Sequence, residues 1–161
     1  MLSVQIWAEK EWQSAMSERP FERVYSVLDF WDGIRAGIAD FDCQHHYYES
    51  LWDEALGTYS DVFALRPIDD AIFDLAMEDW EIWKRWYQAW QDQRTTIKTH
   101  PALPEDRERH TEIDAILKEP LAVDPTTDIR ALAEVAIGPW MASSLTQPIL
   151  SSRSKCVGHE F

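Results

Sequence analysis

The sequence predicts an α+β fold: a small antiparallel β-meander of about four strands packed against a long Trp-rich helix and two or three shorter helices. Three observations predict it. Alternating apolar segments crowd residues 23–66, turn signals recur between them, and residues 68–94 then carry apolar side chains at helical spacing.

The first element is expected to be a helix over 3–16, SVQIWAEKEWQSAM. Ser3 is its cap, Glu9 and Glu11 face water, and Ile6, Trp7, Ala15 and Met16 turn inward. Arg19-Pro20 ends it. RVYSVLDFW at 23–31 alternates, with Val24, Ser26, Leu28 and Phe30 on one side and Tyr25, Val27, Asp29 and Trp31 on the other. Asp32-Gly33 signals a turn, short strands follow at 37–42 and 45–52, and Gly57 separates these from a fourth at 59–66. Turns so closely spaced imply hairpins rather than crossover helices.

The long helix, 69–94, is signalled at both ends. Asp69 is placed to cap it, with Ile68 and Phe73 at the positions of a hydrophobic staple. Asp69, Asp70 and Asp74 put negative charge near its start, and Arg94 and Lys98 put cations near its end. Glu81 and Arg85 are expected to pair across one turn. Trp80, Trp83, Trp86 and Trp90 belong to an apolar arc wider than the stripe of roughly 100° that an ordinary surface helix buries. That width predicts cover by two elements, or self-association through this helix. Asp79 falls inside the arc, where a carboxylate needs a partner. An arginine, a tryptophan N–H or a backbone amide is the expected one; the alternative is a working carboxylate in a Trp-lined pocket.

Pro101 and Pro104 interrupt the chain before a helix at 105–118 with Ile113, Ile116 and Leu117 inward. Asp124-Pro125 opens another at 125–137 with Ile129, Leu132, Ala133 and Ala136 inward, and Gly138-Pro139 stops it. Residues 1–138 are read as one domain, and the serine-rich, slightly basic 139–161 as a tail that is mobile or docks on the acidic body.

The 161 residues suffice for one core. The net charge of −14 is uneven: from Asp29 to Glu81 fourteen acidic residues face two basic ones, Arg35 and Arg66. Such a region repels a phosphate backbone, so nucleic acid is excluded there and a basic protein partner is favoured. No apolar run reaches membrane-span length and the first residues lack the features of a signal peptide, which predicts a cytoplasmic protein with no membrane partner. Cys43 and Cys156, far apart, are expected as free thiols.

Two candidate sites follow. An antiparallel sheet can keep one face wet, and Tyr25, Asp29, Trp31 and Tyr48 would give that face an acidic, aromatic docking surface. This supports a non-catalytic inhibitor, adaptor or subunit. The alternative is a metal-binding protein or metal-dependent enzyme built on Asp40, Asp42, His45, His46 and Glu49, which offer ligand atoms for zinc or another divalent ion. Their spacing matches no established signature, and adjacent strand histidines point to opposite faces. No GxSxG, HExxH, CxxC, Walker or GxGxxG pattern is present, so no catalytic residue and no cofactor is assigned, and His100 and His110 are given no role.

Overall fold

The computed structural model describes the backbone of residues 2–8, 22–29 and 34–137, and the side chains of 23–28 and 34–131. Six strands form one closed antiparallel barrel in chain order. They are β1 (Leu2–Ala8), β2 (Glu22–Asp29), β3 (Ala36–Phe41), β4 (Gln44–Asp53), β5 (Thr58–Pro67) and β6 (Ile129–Ile137). Between β5 and β6 the chain leaves the barrel to build α1 (Asp70–Gln91), a single 3-10 turn (Ile97–Thr99) and α2 (Arg107–Leu117). The expected α+β class is therefore observed, with β2–β5 as the expected meander and α1 as the Trp-rich helix.

Two helices expected from the sequence are strands. The segment read as a helix over 3–16 forms β1 as far as Ala8, the rest of that span lying outside the described residues. The segment read as a helix over 125–137 forms β6. Both carry two periods at once: Ile129, Ala131, Ala133, Val135 and Ile137 alternate, as do Leu2, Val4, Ile6 and Ala8. The choice is made by pairing. β1 and β6 run together from Leu2↔Ile137 to Ala8↔Ala131, so opposite ends of the chain remove each other's open edges. The expected tail at 139–161 lies outside the described residues.

β3 and β4 are buried on both faces. Ala39, Phe41 and Tyr48 point into the barrel with Phe63, Leu65 and Ala131. Ala36, Ile38 and Tyr47 point outward onto Ala76 and Ile82 of α1 and Ile113 and Leu117 of α2. Val24 joins the inner cluster and its neighbour Tyr25 the outer one, and a register shift between Val24 and Ser26 turns Ser26 outward beside Ile38. The β3–β4 turn places Asp42 and Cys43 at φ 50° and 61°, the paired left-handed geometry of a two-residue hairpin.

Helix α1 begins as its sequence requires. Asp69 Oδ1 accepts the Ile72 N–H at 2.9 Å, and Ile68 and Phe73 both pack in the outer cluster. It stops at Gln91, short of the expected 94. Gln93 is left-handed (φ 58°), its N–H donates to the Trp90 carbonyl at 3.0 Å, and the Arg94 N–H reaches the Ala89 carbonyl at 2.8 Å. This is a Schellman closure with glutamine in the usual glycine position. Barrel and α2 both pack on α1, which accounts for its wide apolar arc. Trp86 is fully buried and donates Nε1–H to Thr99 Oγ1 at 2.9 Å. The expected Glu81–Arg85 pair is replaced: Glu81 meets Lys84, and Arg85 reaches Asp106, because a second helix lies within its range. Arg66 of β5 donates to the Ala122 carbonyl and lies 3.8 Å from Asp128, tying the connection between α2 and β6 to the barrel. Among the described residues no helix is long and apolar enough to cross a membrane.

Candidate functional site

Asp40 and His45 face each other across the β3–β4 ladder. Asp40 Oδ1 lies 2.8 Å from His45 Nδ1, and its Oδ2 accepts the Tyr25 hydroxyl at 2.8 Å. A carboxylate only accepts, so Nδ1 carries the proton and donates. The His45 ring stacks on Phe73 of α1 at 3.8 Å, and Tyr25 packs edge-on against both rings, at 5.5 and 4.9 Å. Arg23 covers the other contact, its guanidinium 4.5 Å from the Tyr25 ring centre. The His45 carbonyl accepts the Ile68 N–H at 3.0 Å, just before α1. A carboxylate-oriented imidazole is the arrangement of a general base. Here its contacts fasten the start of α1 to the barrel.

The other residues expected to ligate a metal are dispersed. His46, 3% exposed, turns to the opposite face of β4, edge-on to Phe41, and donates Nδ1–H to the Gln44 carbonyl at 2.9 Å. Glu49 sits 3.4 Å from the Tyr47 hydroxyl, and Asp42 is exposed in the turn. The structure brings together only Asp40 and His45 of the five, because strand alternation splits the rest between two faces and a turn. Among the described residues no group of three or more His, Cys, Asp or Glu side chains is placed to hold a metal ion. Cys43 is exposed and in no disulfide.

Of the expected docking surface, the two side chains described, Tyr25 and Tyr48, do not share an open face. Tyr48 is 3% exposed inside the barrel and donates its hydroxyl to the Ser26 carbonyl at 3.0 Å. Burial, and secondarily the charge of Tyr47, pushes its pKa up. Tyr25 is committed to Asp40, His45 and Phe73. The Asp29 side chain and Trp31 lie outside the described residues. Both faces of β4 are covered, so no wet sheet face exists where Tyr48 was placed.

Asp79 has a different partner from any expected. Its Oδ1 lies 2.6 Å from Nδ1 of His110 in α2, a residue the sequence gave no role. Asp79 also lines a cavity of about 270 Å³ between the barrel and the helices, floored by Ser26, Ile38 and Tyr47. Burial, then the nearby Glu49, raises the Tyr47 pKa there. The cavity falls just below the roughly 300–1,000 Å³ of small-molecule sites.

Charge is compensated unevenly over the described surface. On the helices several cations are paired with acids, and Arg107 donates to the Thr99 and Ala102 carbonyls. Arg109 grips Glu78 with two bonds of 2.7 and 2.8 Å, Arg85 grips Asp106 at 3.0 and 2.8 Å, and Arg94 meets Asp92 at 3.0 Å. These hydrogen bonds hold the Glu78, Asp106 and Asp92 carboxyls below the usual range. The tip of the β4–β5 hairpin, 52–61, has Asp53, Glu54 and Asp61 and neither lysine nor arginine. It also exposes Trp52, Leu56 and Tyr59. The sequence WDEALGTYSD contained that signal, acidic and aromatic residues around a Gly57 turn. No family model matches the chain, and neither a curated protein nor a solved structure matches it.

Proposed function

We propose that this chain is a non-catalytic, cytoplasmic binding protein, an inhibitor, adaptor or subunit, that docks a basic protein through its acidic surface. The observation that carries the reading is this uneven compensation of charge. Arg85 and Arg109 of the helical layer are each held by a neighbouring acid, whereas the β4–β5 hairpin tip bears acids without a lysine or arginine among its residues. A surface of one sign steers an oppositely charged partner and rejects nucleic acid. Asp79 and Asp40 support the non-catalytic part, each carboxylate being bonded to a histidine that packs one element on another, His110 of α2 on α1 and His45 of β4 on Phe73 of α1.

The test is native mass spectrometry of the protein isolated gently from its own source, followed by salt titration of any complex. A second chain of high isoelectric point, whose affinity drops steeply between about 50 and about 500 mM salt, is the expected result. A complex indifferent to salt would remove the reading.

A further inference from the structure

The registers of β4 and β5 carry the end of their hairpin past the ladders of the neighbouring strands. β3 pairs with β4 only as far as Glu49, and β6 pairs with β5 only from Val62. Residues 52–61 project beyond both. A register shift between Ser50 and Trp52 brings Trp52 opposite Tyr59, and the two rings meet edge to face at 5.2 Å. They remain 51% and 37% exposed, and Leu56 at the turn is 73% exposed.

The tip is held in one shape. Asp53 Oδ1 accepts the Ala55 and Leu56 N–H groups at 2.8 and 3.1 Å, the Asp53 carbonyl accepts the Gly57 N–H at 2.8 Å, and Gly57 takes φ 63°. Below the turn, Ser50 donates to the Ser60 carbonyl at 2.7 Å and Ser60 donates to the Leu51 carbonyl at 3.0 Å. The cost of ordering such a loop on binding is already met by its own hydrogen bonds.

Three large apolar side chains on a rigid, projecting turn serve no core, and Trp and Tyr are the residues in which binding energy concentrates. Asp53, Glu54 and Asp61 lie in the same hairpin end. Arg35 reaches this end of the barrel and lies over the Tyr59 ring, 4.9 Å from its centre. We propose that the β4–β5 hairpin tip is the docking knuckle for a basic protein, with Trp52, Leu56 and Tyr59 as anchors and Asp53, Glu54 and Asp61 as the charged rim. The site rests on the binding reading above and adds where and by what chemistry the partner is held. The matching surface presents an apolar recess bordered by lysine or arginine, and an arginine there can lie over the open face of Trp52. A second copy of this chain does not fit, because it would set a charge of −14 against the same charge.

The experiment selects random 16-residue peptides, displayed on phage, against the immobilised full-length protein. The selected peptides are then measured against Trp52→Ala, Leu56→Ser and Asp79→Asn. Leu56→Ser is the safeguard, since a residue this exposed can be made polar without disturbing the fold, which the melting temperature checks. Peptides that combine Lys or Arg with apolar residues, and that lose about tenfold or more on Trp52→Ala and Leu56→Ser but not on Asp79→Asn, are the expected outcome. Basic peptides that bind all three variants equally would overturn the hairpin site and leave the binding reading standing. Binders with no basic preference would overturn both.

Discussion

Gly37 lies directly beneath Tyr48. The two are opposite in the β3–β4 register, and the Tyr48 hydroxyl donates past Gly37 to the Ser26 carbonyl at 3.0 Å. A Cβ at position 37 would stand 2.0 Å from that carbonyl oxygen and 2.6 Å from the Tyr48 oxygen. One contact is backbone in an adjoining strand, so a side-chain rotation cannot relieve it. Gly37→Ala is expected to cost about 3 kcal/mol, and Tyr48→Phe about 1 kcal/mol for the lost hydrogen bond. Urea unfolding of the two variants measures both, and a neutral Gly37→Ala would mean that β2, β3 and Tyr48 do not pack this closely.

What the sequence made legible depended on the range of the interaction. The cap at Asp69, the staple of Ile68 and Phe73 and the 3.6-residue period all fall within a few turns, and α1 starts where they place it. The β4–β5 turn at Gly57 was equally local, while the turn expected at Asp32-Gly33 lies outside the described residues. β1 and β6 were misread because their alternation coincides with helical spacing, and their partner is the other end of the chain. Tyr48 was misplaced for a related reason. A half-wet sheet was assumed, yet two consecutive tyrosines in β4 mark a strand buried on both faces, Tyr47 under the helices and Tyr48 in the barrel. His110 sits 31 residues from Asp79 in sequence, so no local pattern pairs them.

Gln93 closes α1 in a left-handed conformation that a side chain resists. Gln93→Gly removes the steric penalty while keeping the backbone bonds to Ala89 and Trp90. The variant is expected to be more stable by about 0.5–1 kcal/mol, the lower figure reflecting the extra freedom glycine has when unfolded. Chemical denaturation reads it directly. A loss of stability would show that the glutamine side chain contributes more than its conformation costs.

His100 should make the protein sensitive to mild acid. Its ring lies edge-on to the buried Trp86 at 4.6 Å. Burial, and secondarily the charge of His110, lowers its pKa from the ordinary 6.5. The neutral form is thus favoured in the fold, and the unfolded chain takes up the proton first as pH falls. This contribution is complete above about pH 6.5 and declines as pH falls toward the lowered folded value. The stability difference between the parent and His100→Gln should therefore shift against the parent between about pH 7 and pH 5. A difference that stays constant over that range would contradict the lowered pKa.

Asp79 and His110 decide whether the partly buried carboxylate of α1 is structural. Their 2.6 Å contact joins α1 to α2 beside the cavity, with both side chains about one-fifth exposed. If the pair only holds the helices together, Asp79→Asn and His110→Gln should each lower stability by about 1–2 kcal/mol. The double variant should then be little worse than either single one, because the second substitution removes a partner that is already missing. A coupling of about 0.5 kcal/mol or more in that cycle establishes the interaction. Affinity for the basic peptides should stay within about twofold in all three variants, since the pair joins α1 to α2 while the anchors belong to the β4–β5 tip. Additive losses would dissolve the pair as a unit. Lost peptide binding in correctly folded Asp79→Asn would move the working surface from the hairpin to the cavity.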